Sequence, residues 1–431
     1  MPNRKSSDAE RGLVETARRV LPGGGFGNVP HEIVIAGGRG GRVWDVSGNE
    51  YVDYLLGSGP MLIGHAHPEV VAAVEEQLAK GTTFFANNEH GIRLAAEIVD
   101  AVPCAEKVRF VSSGSEADLY AMRAARAYMK RDKILKFEGG YHGMSDYGLM
   151  SLAPRQSTNF PRPIPDSAGI PRSIRDEVLV APFNDLETVA SLVREHRQEL
   201  AAIIVEPMQR LIPPKPGFLE GLRKLTADNG MLLIFDEVVT GFRLAYGGAQ
   251  EYYGVVPDIC TLGKTIGGGF PLAAIAGRAD VMAHFDKGAV GEDAFMMQVG
   301  TLSGNPIAAV AGLKTLEILK RAESYDRIFA NGRALIDGYE RILQDAGVKA
   351  RVVGEPALFD IVFTYRDVID YRSAMGDQDA MKRCNGLLRE GGILKGESKY
   401  YVSLAHTDED IRFTLDAFAS AIAEIARMRA A

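Results

Sequence analysis

One lysine in this chain stands where an amine could become a nucleophile. Lys264 lies between the apolar run Ile259 to Leu262 and the glycine triplet Gly267 to Gly269. An amine deprived of hydration holds its proton less tightly. A lysine tuned in that way can attack an aldehyde and form a Schiff base. Beside glycines alone, a lysine is more often a solvated turn residue, so the reading depends on what lies upstream. There, Leu232 to Val239 reads as a buried strand carrying two acids, Asp236 and Glu237. The C-terminal ends of strands are where open α/β sheets bind ligands. The glycines would let backbone approach a flat ligand or a neighbouring chain.

Three further stretches have the same form, a strand pattern that ends in polar residues. Lys107 to Val111 runs into Ser112, Ser113, Gly114 and Ser115, and helical spacing follows at Leu119, Met122 and Ala125. A helix start after such a loop offers free N–H groups and a positive dipole end to an anion. An ordinary serine N-cap is the alternative. Lys133 to Phe137 leads to Tyr141 and His142, where an aromatic could stack on a flat ring or fill core. Ala201 to Val205 ends at Glu206 and Pro207.

Taken together, Asp236-Glu237-Val238, Thr240 to Arg243, Pro257-Asp258, Gly263-Lys264 and the glycine triplet resemble the class III aminotransferases of pyridoxal-phosphate fold type I. The nearest likeness is to glutamate-1-semialdehyde aminomutase and its relatives. The resemblance spans almost the whole chain. It implies an α/β fold: a large domain with a mixed, mostly parallel seven-stranded sheet, and a smaller α+β domain. The large domain would cover 58–325, with 1–57 and 326–431 forming the small one. By the same resemblance, Lys264 carries pyridoxal 5'-phosphate and serves as general base. Asp236 keeps the ring nitrogen protonated. Tyr141 and Val238 flank the ring, and Ser113, Gly114 and Ser115 hold the phosphate. His142 and Glu206 adjoin the cofactor. Thr301, within Gly300 to Pro306, reaches the phosphate of the other subunit's cofactor, so a homodimer is expected.

The implied activity is transfer of an amino group from an amine or amino acid to a keto acid. Two departures from the aminomutase bear on the substrate. No arginine stands in the loop Gly25 to Pro30 after Pro22-Gly23-Gly24, and Ser58 replaces a tryptophan before Gly59-Pro60-Met61. Ser403 to Thr407 resembles the aminomutase branch, without the arginine that ornithine- and GABA-type enzymes place nearby. A β- or ω-amino donor is therefore expected. The alternative is the aminomutase reaction, or another intramolecular transfer on the same scaffold.

Composition narrows the remaining classes. The chain has 431 residues, 46% apolar and 24% charged, as in globular proteins large enough for two lobes. A net charge of −7 argues against nucleic acid or an anionic membrane surface as partner. Met1 to Ser6 shows no apolar signal region, and no run nears the roughly 20 apolar residues of a membrane span. Cys104, Cys260 and Cys384 make no metal or disulfide pattern, so a cytoplasmic, reduced setting is expected. His65 and His67 lack other ligand-type neighbours and read as structural. Gly263-Lys264-Thr265 resembles the end of a P-loop, but the leading glycine of that motif is missing. Ile33 to Ala36, Arg42 to Val46 and Tyr51 to Leu55 predict an antiparallel meander turning at Ser47 to Asn49. Residues 150–175 predict a long irregular loop with Arg155, Arg162, Arg172 and Arg175, and 286–294 a further loop. A helix is expected from Ile307 to about Arg321.

Overall fold

The structure is a computed structural model that describes residues 4–27 and 33–430. The predicted loop at 28–30 and the first three residues lie outside the described residues. The chain divides into two compact units. The larger consists of Glu69–Arg321 and Val368–Ala374. The smaller is built from the described residues of Met1–Pro68, Ala322–Asp367 and Met375–Ala431.

The larger unit is organised on a seven-stranded sheet. Its strands lie in the order Lys107–Val111, Ala273–Gly277, Ile259–Leu262, Leu232–Glu237, Leu200–Val205, Lys133–Phe137 and Val178–Ala181. Only Ala273–Gly277 runs antiparallel to its neighbours. Parallel strands are covered by helices on both faces, which is why they read as continuous apolar runs. Leu200–Val205 and Leu232–Glu237 are buried at every position. The helix Gly114–Met129 lays Ala117, Ala121, Met122 and Ala125 on Ile204, Ile234 and Ile275. Alanines on that face let the helix axis come close to the strands. The strand pattern at 232–239 stops at Glu237, because Val239 and Thr240 already belong to a turn in which Gly241 N–H donates to Glu237 O.

Two loops differ from their sequence reading. Lys287–Val290 is a short helix, capped where Gly288 N–H donates to the Asp286 side chain. The stretch 150–175 is irregular but packed. Phe160, Ile170 and Ile174 cover Met150, Val178 and Val180, and Arg372 donates to Thr158 O. The four arginines in that stretch are all exposed.

In the smaller unit, Ile35–Arg39, Arg42–Asp45 and Glu50–Asp53 form the antiparallel meander, and Ile393–Leu394 adds a parallel fourth strand. Asp45 accepts from Ser47 N–H and Asn49 N–H, which fixes the predicted turn. His65 Nε2 meets Asp53 Oδ2 at 2.7 Å. No cluster of metal-ligating side chains occurs among the described residues. Ser403 and His406 are buried, bonded to Leu62 O and Asp53 O, so this stretch is structural within its unit. Among the described residues, no helix is long and apolar enough to cross a membrane.

Candidate active site

The strand order brings the predicted residues to one end of the larger sheet. Leu232–Glu237 and Ile259–Leu262 run in parallel register, with Asp236 opposite Thr261. Side chains alternate across a strand, so the two adjacent acids point to opposite faces. Glu237 turns away from the site. It accepts from Thr240 Oγ1 at 3.0 Å and from the amides of Ala249 and Gln250, so it anchors the helix Gly248–Tyr253. Burial pushes its carboxyl up to about 7.

Asp236 faces the other way and is 5% exposed. Its Oδ2 lies 2.8 Å from His142 Nδ1, and its Oδ1 accepts from Val238 N–H at 3.1 Å. A carboxylate can only accept, so the shared proton sits on Nδ1 and the tautomer of His142 is fixed. His142 is buried, and its Nε2 has no partner among the described residues. Tyr141 precedes it and is 40% exposed; its N–H donates to the buried Glu206 at 2.9 Å. The loop that carries both is tied to the sheet by Lys136. This buried amine donates to the carbonyls of Gly140, Gly148 and Met150, and burial pulls it down to about 7.

Asp118, on the helix Gly114–Met129, was not singled out in the sequence. It is 2% exposed and accepts from Thr261 Oγ1 at 2.7 Å; that hydroxyl lies 3.3 Å from Asp236 Oδ1. Burial, and then the neighbouring Asp236, push the Asp118 carboxyl well above the usual range. Two buried carboxylates cannot both ionise cheaply at this separation. The two acids meet at the Thr261 hydroxyl, and Asp236 keeps the bonds from His142 and Val238. A mid-helix acid resembles a solvated one until the strand it faces is known.

The helix start at Gly114 is shaped as an anion cradle. Ser113 Oγ accepts from Glu116 N–H, and Glu116 returns a bond to Ser113 N–H, forming a capping box. The amides of Gly114 and Ser115 lie in the first turn, where no intrahelical partner exists. They have no acceptor among the described residues. Ser115 Oγ accepts from Met144 N–H at 3.2 Å. A Cβ on Gly114 would fall 2.9 Å from Val238, and one on Gly263 would fall 3.2 Å from it. The Val238 side chain is thus gripped from both sides.

Lys264 opens a short 3-10 turn, Lys264–Gly267, and has a left-handed φ of 45°. Non-glycine residues in that region are strained, and such strain gathers at functional sites. The glycines after it serve packing: a Cβ at Gly268 would lie 2.6 Å from the Ala311 backbone. The lysine turn is therefore clamped to the helix Pro306–Leu319. Thr301 is exposed on a separate loop and joins none of the hydrogen bonds around Asp236.

An acid at a strand end, a lysine in a constrained turn, an aromatic beside them and an unclaimed pair of helix-start amides define a pyridoxal-phosphate enzyme of fold type I. The residues present fit that cofactor: the acid for its ring nitrogen, the open amides for its phosphate, and the grip on Val238 for a flat face. The chain belongs to the family described as Aminotransferase class-III, whose sequence model matches residues 26–422. An omega-transaminase from Sphaerobacter thermophilus is 38% identical, with a TM-score of 0.92, over 98% of this chain and 99% of that one. A transaminase with PLP bound is 31% identical, with a TM-score of 0.90, over 99% and 100%. A beta-phenylalanine aminotransferase from Variovorax paradoxus is 31% identical, with a TM-score of 0.84, over 98% and 94%. The protein is an aminotransferase, and its cofactor is pyridoxal phosphate.

Proposed function

We propose that this aminotransferase takes its amino group from a β- or ω-amino compound and passes it to a keto acid. The site rests on one observation, the Asp236 carboxylate presented at a strand end and oriented by His142 at 2.8 Å. When bound, pyridoxal phosphate supplies a protonated ring that accepts the electron pair released at the substrate carbon. Asp236 would hold the proton on the ring nitrogen, and His142 keeps Asp236 aimed. The amides of Gly114 and Ser115, at the turn capped by Ser113, would bind the phosphate. Tyr141 and Val238 would flank the two ring faces, and Glu206 fixes the Tyr141 backbone. Lys264 would anchor the cofactor, and its freed amine would carry the proton from the substrate carbon to the cofactor side, as transfer of the amino group requires.

The substrate class is supported by the missing arginine in 25–30, by Ser58, and by relatives that are an omega-transaminase and a beta-phenylalanine aminotransferase. A panel of donors mixed singly with the loaded enzyme tests it. β-Amino acids and primary amines should change the cofactor absorbance faster than α-amino acids do. Rapid, selective conversion of glutamate-1-semialdehyde to 5-aminolevulinate would overturn the proposal in favour of the aminomutase.

A homodimer completes this reading. Phe85, Met297 and Val299 are 69%, 71% and 68% exposed, and Phe85, Ile92, Phe110 and Val299 line one cavity on the surface that carries Thr301. Contiguous apolar surface of this kind marks a protein interface, and Thr301 would then serve the partner's cofactor. Sedimentation should give twice the chain mass of 46.7 kDa, and Val299→Asp should shift it toward one chain. A single-chain mass for the unaltered protein would remove this part. A cytoplasmic location suits three buried, unpaired cysteines; recovery in another cell fraction would refute it.

A further inference from the structure

The four arginines of 150–175 are exposed, and none of them is a prepared anion site. A different arginine is. Arg210 sits in the tight turn Gln209 to Ile212, closed where Ile212 N–H donates to Gln209 O at 2.8 Å. Its φ is 61°, left-handed for a residue with a Cβ. Glycine would take that conformation without strain, so the side chain is kept at a cost. Gln209 donates to Glu138 O at 2.8 Å, and Arg210 Nε donates to Gly139 O at 2.9 Å. Together they hold the segment that leads to Tyr141. The guanidinium lies over the Tyr141 ring, with its central carbon 5.4 Å from the ring centre.

A structural clamp would need only the bond to Gly139. A guanidinium has five donors arranged as a fork, and the Nη atoms of Arg210 have no partner among the described residues. None of the nearby acids forms an ion pair with it among the described residues. Glu138 is held by Arg372 through two bonds of 2.7 and 3.0 Å. Glu206 accepts from the Tyr141 amide. A half-buried guanidinium with no ion-pair partner among the described residues, stacked on an aromatic at the active site, is prepared for an anion from solution.

We propose that Arg210 is a specificity-determining residue whose guanidinium receives the carboxylate of the substrate. The inference rests on the aminotransferase site described above and names what that site selects. The donor is an amino acid, with its amine beyond the α position, in preference to a simple amine. The acceptor is a keto acid held through the same carboxylate.

The test compares two donors that differ by one carboxylate, 3-amino-3-phenylpropionate and 1-phenylethylamine, on the loaded enzyme and its Arg210→Met and Arg210→Lys variants. Arg210→Met should raise KM for the amino acid about ten- to hundredfold, the scale of a lost charge-assisted pair. Loss of the Gly139 bond falls on both donors alike, so KM for the simple amine should rise at least about fivefold less than KM for the amino acid, and Arg210→Lys should restore part of the difference. Calorimetry with 3-phenylpropionate, which has no amine to react, should show the same loss of binding in Arg210→Met and a smaller loss in Arg210→Lys. Equal losses on both donors, or unchanged binding of 3-phenylpropionate, would reduce Arg210 to a clamp and overturn the proposal. If the unaltered enzyme turned over neither donor yet bound 3-phenylpropionate through Arg210, the donor class would fall and the carboxylate site would stand.

Discussion

Lys264→Ala enzyme is expected to lose at least about 10³-fold in the rate of the donor half-reaction, since both attachment of the cofactor and the proton transfer are removed. The backbone gives a clean comparison. Position 264 is left-handed with φ 45° in the native chain, and alanine meets the same Cβ strain as lysine there. The turn is clamped by Gly268 against Ala311, away from the side chain, so the fold should survive. Melting temperature should therefore change little while turnover disappears. Lys264→Arg separates charge from chemistry: it keeps a cation but offers neither a nucleophile nor a base at neutral pH, and should be as inactive as the alanine variant. Treating the native enzyme with borohydride and digesting it should leave the cofactor mass on the peptide containing Lys264. Retained turnover in either variant, or the mass on another lysine, would end this assignment.

The parts of this site that were legible in the sequence are those set by local pattern. Apolar runs that stop at a polar residue gave the strands Leu200–Val205, Leu232–Glu237 and Ile259–Leu262, and with them Asp236 and Glu206. The serine-glycine loop before a helical period gave the cradle at Gly114. The unread parts depend on contacts across the fold. Asp118 and Thr261 are far apart in sequence and meet only because the helix lies over the strand. Asp236 and Glu237 look equivalent as letters; strand alternation alone sends one to the site and the other to the helix Gly248–Tyr253. Arg210 follows a proline-bounded strand end and reads as a loop residue until its turn folds beside Tyr141. The short helix Lys287–Val290 is too brief for periodicity to show. Of the glycines after Lys264, Gly268 marks a close approach, and the object approached is the chain's own helix.

Asp236→Asn carries the second large effect, because it changes one charge and almost no volume. The native carboxylate sits among donors: His142 Nδ1–H on Oδ2, and Val238 N–H on Oδ1. An amide can accept through one atom only, so its NH2 group must oppose either the Val238 amide or the His142 ring. The imidazole can answer by moving its proton to Nε2, the atom without a partner among the described residues. The amide would then be held in place, but no negative charge would remain to keep a proton on the ring nitrogen of the cofactor. Cofactor affinity should fall about ten- to hundredfold, the range for losing a charge-assisted hydrogen bond. Turnover at saturating cofactor should fall a further 10²- to 10³-fold, roughly the effect of removing one preorganised electrostatic contact. The two losses are separable by titrating apo-enzyme with pyridoxal phosphate and then measuring the half-reaction at saturation. His142→Ala should show a smaller loss in both, since it frees the carboxylate to turn but leaves its charge. If Asp236→Asn bound and turned over like the native protein while His142→Ala did not, the histidine would be the functional partner and the acid only its support.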